Sequence, residues 1–180
     1  MRIALPLVLT TALAGLLSGC THPQPQATSE AVPAMIVTSS AFTDGGTIPR
    51  GYTCDGADVS PPLAFADLPG GTRSLALLVE DPDAPRGTFV HWVAWGIDPA
   101  RASLAEGEQP TGTGTNDFRR AGYGGPCPPR GPAHRYVFTA FALSRPVDPG
   151  PHASAADLRR AIDGAVLAEG HLVGRYARTP

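Results

Sequence analysis

The chain has 180 residues, which is the size of a single domain, and a formal charge of −2. Its basic residues are all arginines and form no cluster, so the charge pattern argues against a nucleic-acid partner. Glycine (21 residues) and proline (20 residues) are frequent, and 42% of the residues are hydrophobic. This composition predicts a folded core interrupted by many turns and argues against a long helical bundle.

The first segment has the features of a secretion signal. Met1 and Arg2 precede an uncharged apolar run over Ile3–Leu17, which is too short to span a bilayer. The run ends in Leu-Ser-Gly-Cys, which resembles the lipobox of bacterial lipoproteins. We therefore expect residues 1–19 to be a lipoprotein signal peptide and Cys20 to be the lipidated residue. An ordinary secretion signal that is cleaved nearby is the alternative.

The next segment has the composition of a flexible tether. Residues 20–34 are mostly proline, glutamine, alanine, serine and threonine and lack apolar periodicity. The folded domain is therefore predicted to span residues 35–180. Acyl chains on Cys20 would hold the protein on a membrane of the bacterial cell envelope. Thr21 after the lipidated cysteine favours the outer membrane, with the domain facing the periplasm.

Two cysteines remain in the predicted domain, Cys54 and Cys127. An even number of cysteines in an oxidising compartment favours a disulfide between them. Two separately buried thiols are the alternative.

The body of the domain has the pattern of a β protein. Turn-forming residues bound four predicted strands, which are Met35–Phe42, Ser74–Glu80, Phe89–Ile97 and His134–Leu143. The strand Ser74–Glu80 is apolar almost throughout, as expected of a strand that is buried on both faces. A long glycine- and proline-rich loop is predicted over Glu106–Pro132.

One helix is predicted near the C terminus. Ser154 can cap it, with Asp157 in the capping-box position. Apolar residues then recur at helical spacing over Leu158–Val166, and Gly170 is the predicted residue after the helix. A last short strand is predicted over His171–Ala177. Several strands and one late helix favour a mainly β fold, a β-sandwich with one or two peripheral helices.

Strand alternation places the histidines of two predicted strands. One face of the last long strand is predicted to carry His134, Tyr136 and Phe138. On the strand before it, His91 is predicted to share a face with Phe89, Val93 and Trp95. A single strand histidine is more often structural than ligand-binding, so these positions become informative only in combination.

Two loops carry further candidate groups. Asp81 and Asp83 lie in an Asp-Pro-Asp-Ala-Pro turn directly after a buried strand, and its prolines stiffen the turn and fix both carboxylates. Gly122–Pro129 contains glycines that allow backbone N–H groups to approach an anion.

These motifs together resemble the phosphatidylethanolamine-binding protein (PEBP) family, also called Raf kinase inhibitor-like, and in particular its bacterial YbhB/YbcL branch. The matching stretches occur in the family's order and are Ile48-Pro49, Tyr52–Gly56, Ser60–Leu63, Asp81–Pro85, Val90–Trp92, Gly124–Pro129 and His134–Tyr136. The resemblance covers about residues 42–176. It implies a β-sandwich of one large antiparallel sheet and a smaller sheet, with a small anion pocket at one edge.

The resemblance also implies the residues of the pocket. Carried over by motif, the ligand-binding residues are Asp81, His91, His134 and Tyr136, with Asp83 beside them, and the backbone of the Gly125–Pro129 loop, including Gly125 and Pro126, closes the rim. The family accepts phosphate-type groups, including phospholipid head groups. We therefore expect non-catalytic binding of a small anionic ligand, without a cofactor.

Two other functions are left open by the sequence. The domain could inhibit or regulate a partner kinase or protease, with the loop Pro110–Arg120 as a candidate contact for an unidentified protein partner. The two histidines and two aspartates could instead hold a divalent metal in a hydrolase. The sequence contains no closely spaced ligand pair, nucleophile elbow or phosphate-binding loop that would support catalysis.

Overall fold

The computed structural model describes residues 32–178. The predicted signal peptide, Cys20 and most of the predicted tether lie outside the described residues. Within this range, no helix combines the length and apolar character needed to cross a bilayer.

The described chain folds into two antiparallel sheets and one α-helix. In chain order the elements are β1 (Ile36–Thr38), β2 (Leu63–Ala66), β3 (Ser74–Asp81), β4 (Phe89–Ile97), β5 (Ser103–Leu104), β6 (Gly112–Thr113), β7 (His134–Leu143), α1 (Ala155–Ile162) and β8 (Val166–Tyr176). The smaller sheet has the order β1-β2-β5, and the larger has the order β6-β4-β3-β7-β8. The mainly β fold with a larger and a smaller sheet is confirmed.

The larger sheet is covered on both faces. Leu75, Leu77 and Val79 of β3 pack in a core that includes the smaller sheet, whereas Leu78 packs with Leu158 of α1 on the opposite face. All five side chains are almost completely buried. Burial of each such side chain contributes about 1.5–3 kcal/mol. This two-sided burial explains why the sequence of β3 is apolar almost throughout.

The predicted capping box at the start of α1 is confirmed. The Asp157 backbone N–H donates to Ser154 Oγ (3.3 Å), and the Ser154 backbone N–H donates to Asp157 Oδ2 (2.9 Å). These two bonds satisfy donors that the first turn of a helix leaves without partners.

The predicted end of the helix is wrong. α1 ends at Ile162, and Gly164 follows in the left-handed region at φ +66°. Val166 already belongs to β8, and Gly170 lies within that strand. Strand β8 pairs with β7 along its whole length, so tertiary pairing prevails over the helical periodicity of residues 163–166.

The bounds of the other strands follow the strength of the local signal. Those of β4 and β7 agree with the prediction, and β3 is one residue longer than predicted. β1 is shorter, because Ser39 Oγ donates to the Pro62 carbonyl (2.6 Å) and the chain turns there. β6 interrupts the loop that was predicted over 106–132.

The outer edge of β8 is covered by the N-terminal part of the domain. The Met35 N–H donates to the Glu169 carbonyl and the Glu169 N–H to the Pro33 carbonyl, both at 3.0 Å. Further along, residues 46–48 bond to Arg175 in the same way. Two stretches of chain therefore provide hydrogen-bond partners for backbone groups at the outer edge of β8, which would otherwise be unpaired.

Cys54 and Cys127 form a disulfide, as predicted. It joins the turn after a short 3₁₀ segment (Arg50–Tyr52) to the glycine- and proline-rich loop before β7. The Cys54 N–H also donates to the Pro126 carbonyl (3.1 Å), so a backbone hydrogen bond reinforces the covalent link.

Candidate functional site

Asp81 and His134 form a buried pair where β3 ends and β7 begins. His134 Nδ1 lies 2.7 Å from Asp81 Oδ2, and the Asp83 N–H donates to Asp81 Oδ1 (2.8 Å). The two residues are only 3% and 8% exposed. Because a carboxylate accepts, the proton of this bond belongs to His134 Nδ1. This leaves His134 Nε2 for other partners.

His91 is placed by a β-bulge. In the β3–β4 ladder Val79 pairs with Trp92 and Glu80 with Val90, so His91 is the extra residue on β4. A bulge bends the strand and redirects the side chain at that point. The His91 ring packs edge-on against the Tyr136 ring, with ring centroids 5.1 Å apart.

The predicted face of His91 is therefore only partly right. The Phe89 ring lies 5.1 Å from the His91 ring, as expected for residues on one face. Val93 and Trp95 instead pack on the α1 side of the sheet, away from Tyr136. The prediction for Val93 and Trp95 is wrong because strand alternation assumes a regular ladder of strand pairs, and the bulge at His91 interrupts it.

The His91 ring is held in a mostly apolar setting. Its Nδ1 donates to the Gly124 carbonyl (2.6 Å), and the Phe118 ring packs edge-on at 5.4 Å. Burial lowers the pKa of His91, and the Gly124 carbonyl opposes that shift only in part. His91 is therefore neutral over most of the physiological range, with its proton on Nδ1 and an unprotonated Nε2.

Tyr136 packs against His91, and its buried hydroxyl lies near the Asp81 carboxylate. The residue is fully buried, and its Oη has no hydrogen-bond partner among the described residues. Burial raises the pKa of Tyr136, and the negative charge of Asp81 raises it further. The hydroxyl therefore stays protonated, and it can donate one hydrogen bond and accept another. Buried polar groups usually have a hydrogen-bond partner, which the protein, an ordered water or a ligand can provide.

Asp83 lies beside the pocket rather than in its wall. Its carboxylate accepts from Arg135 Nε (2.9 Å), from Arg135 Nη2 (2.6 Å) and from the Arg135 backbone N–H (2.9 Å). These bonds lower the pKa of Asp83 well below its usual value. The pair links the turn after β3 to the start of β7. Because both side chains are partly exposed, its effect on stability is modest.

The predicted rim loop divides into two parts. The Gly125 N–H donates to Asp58 Oδ1 (2.7 Å), and the Pro126 carbonyl accepts from Cys54, so these backbone groups are already used. A Cβ on Gly125 would come within 2.5 Å of the Tyr52 carbonyl oxygen, so the loop requires glycine there. The other part of the predicted rim, residues 127–129, lines the cavity.

Of the predicted site residues, Asp81, His91 and His134 line one open cavity of about 540 Å³ at the edge of the larger sheet, whereas Tyr136, Asp83, Gly125 and Pro126 are not among its lining residues. The lining residues are Asp81, 84–89, His91, 116–119, 127–129 and His134. The volume falls within the range of small-ligand sites, about 300–1,000 Å³. No group of three or more His, Cys, Asp or Glu side chains within residues 32–178 is arranged to hold a metal ion.

Sequence reasoning missed the wall formed by residues 116–119. This stretch lies inside the loop that was interpreted as a candidate protein contact. Asn116, which is 2% exposed, donates to the Gly122 carbonyl (3.0 Å). The Asp117 carboxylate accepts from the Val90 N–H (2.7 Å), and the Asp117 N–H donates to the Val90 carbonyl (2.9 Å). A large apolar residue, Phe118, within a polar loop was the only available signal, and it does not specify what the residue contacts.

The sandwich and its edge cavity define a class of small β-domain proteins, and comparisons with known proteins identify the family. The family model described as phosphatidylethanolamine-binding protein matches residues 38–177. The UPF0098 protein of Aquifex aeolicus is 46% identical over 152 residues, which cover 80% of this chain and 89% of that protein. The chain therefore belongs to the phosphatidylethanolamine-binding protein family.

Two solved structures support the same assignment. A PEBP homolog from Chlamydia trachomatis, CT736, has a TM-score of 0.77 and 39% identity. E. coli YbcL, described as a new member of the mammalian PEBP family, has a TM-score of 0.73 and 31% identity. Each match covers 81% of this chain and 99% of the other.

Proposed function

We propose that this protein binds a small phosphate-type anion, either free or as a phospholipid head group, and that it does so without catalysis. The proposed binding residues are Asp81, His91, His134 and Tyr136. The observation that carries the proposal is that Asp81, His91 and His134 line one cavity, beside a buried Tyr136 hydroxyl that has no hydrogen-bond partner among the described residues. Each of the two imidazoles has one ring nitrogen engaged by the protein, and the Tyr136 ring packs against that of His91.

The protonation of His91 sets the chemistry of the cavity floor. A carbonyl oxygen only accepts, so the bond to Gly124 keeps a proton on His91 Nδ1 in the neutral ring. His91 Nε2 is then an acceptor, which suits a ligand O–H or N–H. When His91 is protonated, Nε2 donates to an anion with the added strength of a charged hydrogen bond. Anion affinity should therefore rise as the pH falls.

Asp81 has a supporting role that explains a carboxylate in an anion site. Its bond to His134 Nδ1 fixes the tautomer and directs Nε2 away from the carboxylate. The negative charge of Asp81 also favours the protonated form of a neighbouring imidazole. With a zwitterionic head group, the same carboxylate could pair with the ammonium.

We also propose a location in the bacterial cell envelope. The lipobox-like sequence before Cys20 and the tether composition of residues 20–34 support a lipid-anchored protein, with the outer membrane favoured by Thr21. A disulfide in the domain suits an oxidising compartment. Metabolic labelling with palmitate should mark the wild type and not Cys20→Ala; labelling of both proteins would refute the anchor.

The binding proposal is tested with two conservative variants. Asparagine can keep the bond made by a histidine Nδ1 but has no equivalent of Nε2, so His91→Asn and His134→Asn remove the proposed ligand contact alone. His171→Asn is the control, because His171 lies on β8 outside the cavity. Inorganic phosphate and phosphoethanolamine are titrated by calorimetry and by imidazole NMR, at about pH 5.5 and about pH 8.5.

We expect tighter binding at the lower pH. Ligand binding should also shift the imidazole NMR resonances of His91 and His134. Both site variants should lose about tenfold or more in affinity, as for a charged hydrogen bond. The control should match the wild type. Equal affinity at the two pH values would refute the protonation argument. Unchanged binding in both site variants would refute the site itself.

A further inference from the structure

Two arginines at the mouth of the cavity have no assigned role. Arg86 comes from the turn after β3 and Arg119 from the 116–119 wall, and both line the cavity. Neither forms an ion pair within the described residues. By contrast, two other arginines are paired: Arg120 with Asp58, at 2.6 Å, and Arg135 with Asp83, at 2.6 Å.

The backbone that carries Arg119 is fixed. Arg119 adopts the left-handed region at φ +64°, and its N–H donates to the Asn116 carbonyl (2.9 Å). Asn116 Oδ1 accepts from the Arg120 N–H (3.3 Å), which closes the turn. Such a backbone conformation persists only where the surroundings hold it in place. The loop therefore holds the Arg119 backbone at the edge of the cavity.

The two carboxylates of the wall form no ion pair with these arginines. Asp81 is engaged by His134 and by a backbone N–H, and one oxygen of Asp117 accepts from the Val90 N–H (2.7 Å). The mouth therefore carries two guanidinium groups without an ion-pair partner among the described residues, whereas the floor carries the two imidazoles. The cavity volume of about 540 Å³ also exceeds what a single phosphate on the floor would fill.

We infer a second anion subsite at the mouth, formed by Arg86 and Arg119, which makes the cavity selective for ligands with two anionic groups. This inference rests on the proposed function. One group, a phosphate, would bind the imidazoles of the floor, and a carboxylate or second phosphate would bind the guanidinium groups. Arginine suits both, because its planar fork can bind two oxygens at once.

A matched pair of ligands tests the inference. Phosphoserine and phosphoethanolamine differ by one carboxylate, and each is titrated into the full protein at constant ionic strength, because exposed charges are screened by salt. The variant is Arg86→Gln/Arg119→Gln. Arg73→Gln is the control, since Arg73 is also exposed and lies beside the opposite end of β3 from Asp81.

Wild type and the Arg73→Gln control should bind phosphoserine about tenfold more tightly than phosphoethanolamine. The double variant should bind both compounds with similar affinity, because the preference for phosphoserine depends on the two guanidinium groups. Phosphatidylcholine vesicles with and without phosphatidylserine show whether the dianionic group is recognised on a membrane or only in free compounds. Either source supports the inference if binding depends on the arginines.

Two results would overturn the inference and can be told apart. If phosphoethanolamine binds but phosphoserine is not preferred, or the preference survives in the double variant, the second subsite is refuted and the floor site stands. If neither compound binds the wild type, the proposed function itself has failed.

Discussion

Removal of the Cys54–Cys127 disulfide should destabilise the domain by an amount that follows from loop length. The cysteines are 73 residues apart in sequence. In the chain-entropy description, releasing a loop of this length returns about 15 cal/mol/K to the unfolded state, or about 4.4 kcal/mol at 25 °C. For a domain of nearly 150 residues this corresponds to a fall in Tm of roughly 9–18 °C.

The assay compares wild type with Cys54→Ser/Cys127→Ser in urea and on heating. Trp92 and Trp95 are both buried, so tryptophan fluorescence reports unfolding. The variant should show a lower midpoint and a larger m-value, because its unfolded chain is free to expand. Wild type with the disulfide reduced serves as the control and should behave like the variant. A loss below about 1 kcal/mol with an unchanged m-value would refute the entropic reasoning.

Three further predictions concern other parts of the domain. Ser154→Ala removes the capping box and should cost about 1 kcal/mol in urea unfolding; no loss would mean that the cap is not needed. Gly125→Ala forces a Cβ against the Tyr52 carbonyl and should cost about 1–3 kcal/mol, whereas Gly51→Ala, with no atom within 4 Å, should be nearly neutral. Because burial lowers the pKa of His91, the unfolded chain binds its proton first, so stability should fall as the pH drops below about 6.5. That fall should be smaller in His91→Asn, and an unchanged pH profile in this variant would contradict it.

The longest strands were predictable because their signals are local and strong. β4 and β7 are apolar runs that end at Asp-Pro and Arg-Pro, which stop a strand by removing a backbone donor. β5 and β6 contain two residues each and exist only because a longer neighbour offers hydrogen bonds. The predicted end of α1 is too late for the same reason. Val166 pairs with Leu143 of β7 and therefore belongs to β8.

The residues of the site could be predicted from the sequence, but their arrangement in space could not. The motifs placed Asp81 and His134 at the ends of strands that proved to be antiparallel neighbours, so their contact follows from the topology. The direction of His91 did not follow, because it depends on a bulge that strand alternation does not reveal. Nor did the role of residues 116–119, which fold onto the cavity through contacts distant in sequence.

The hydrogen bonds of Pro33 and Met35 to β8 have a practical consequence for recombinant expression. A shortened protein that begins at residue 36 would leave part of an eleven-residue strand without its cover. Uncovered strand edges pair with one another between molecules. Such a truncation also removes Met35 from the core and should form soluble aggregates, whereas one that begins at Val32 should stay dispersed.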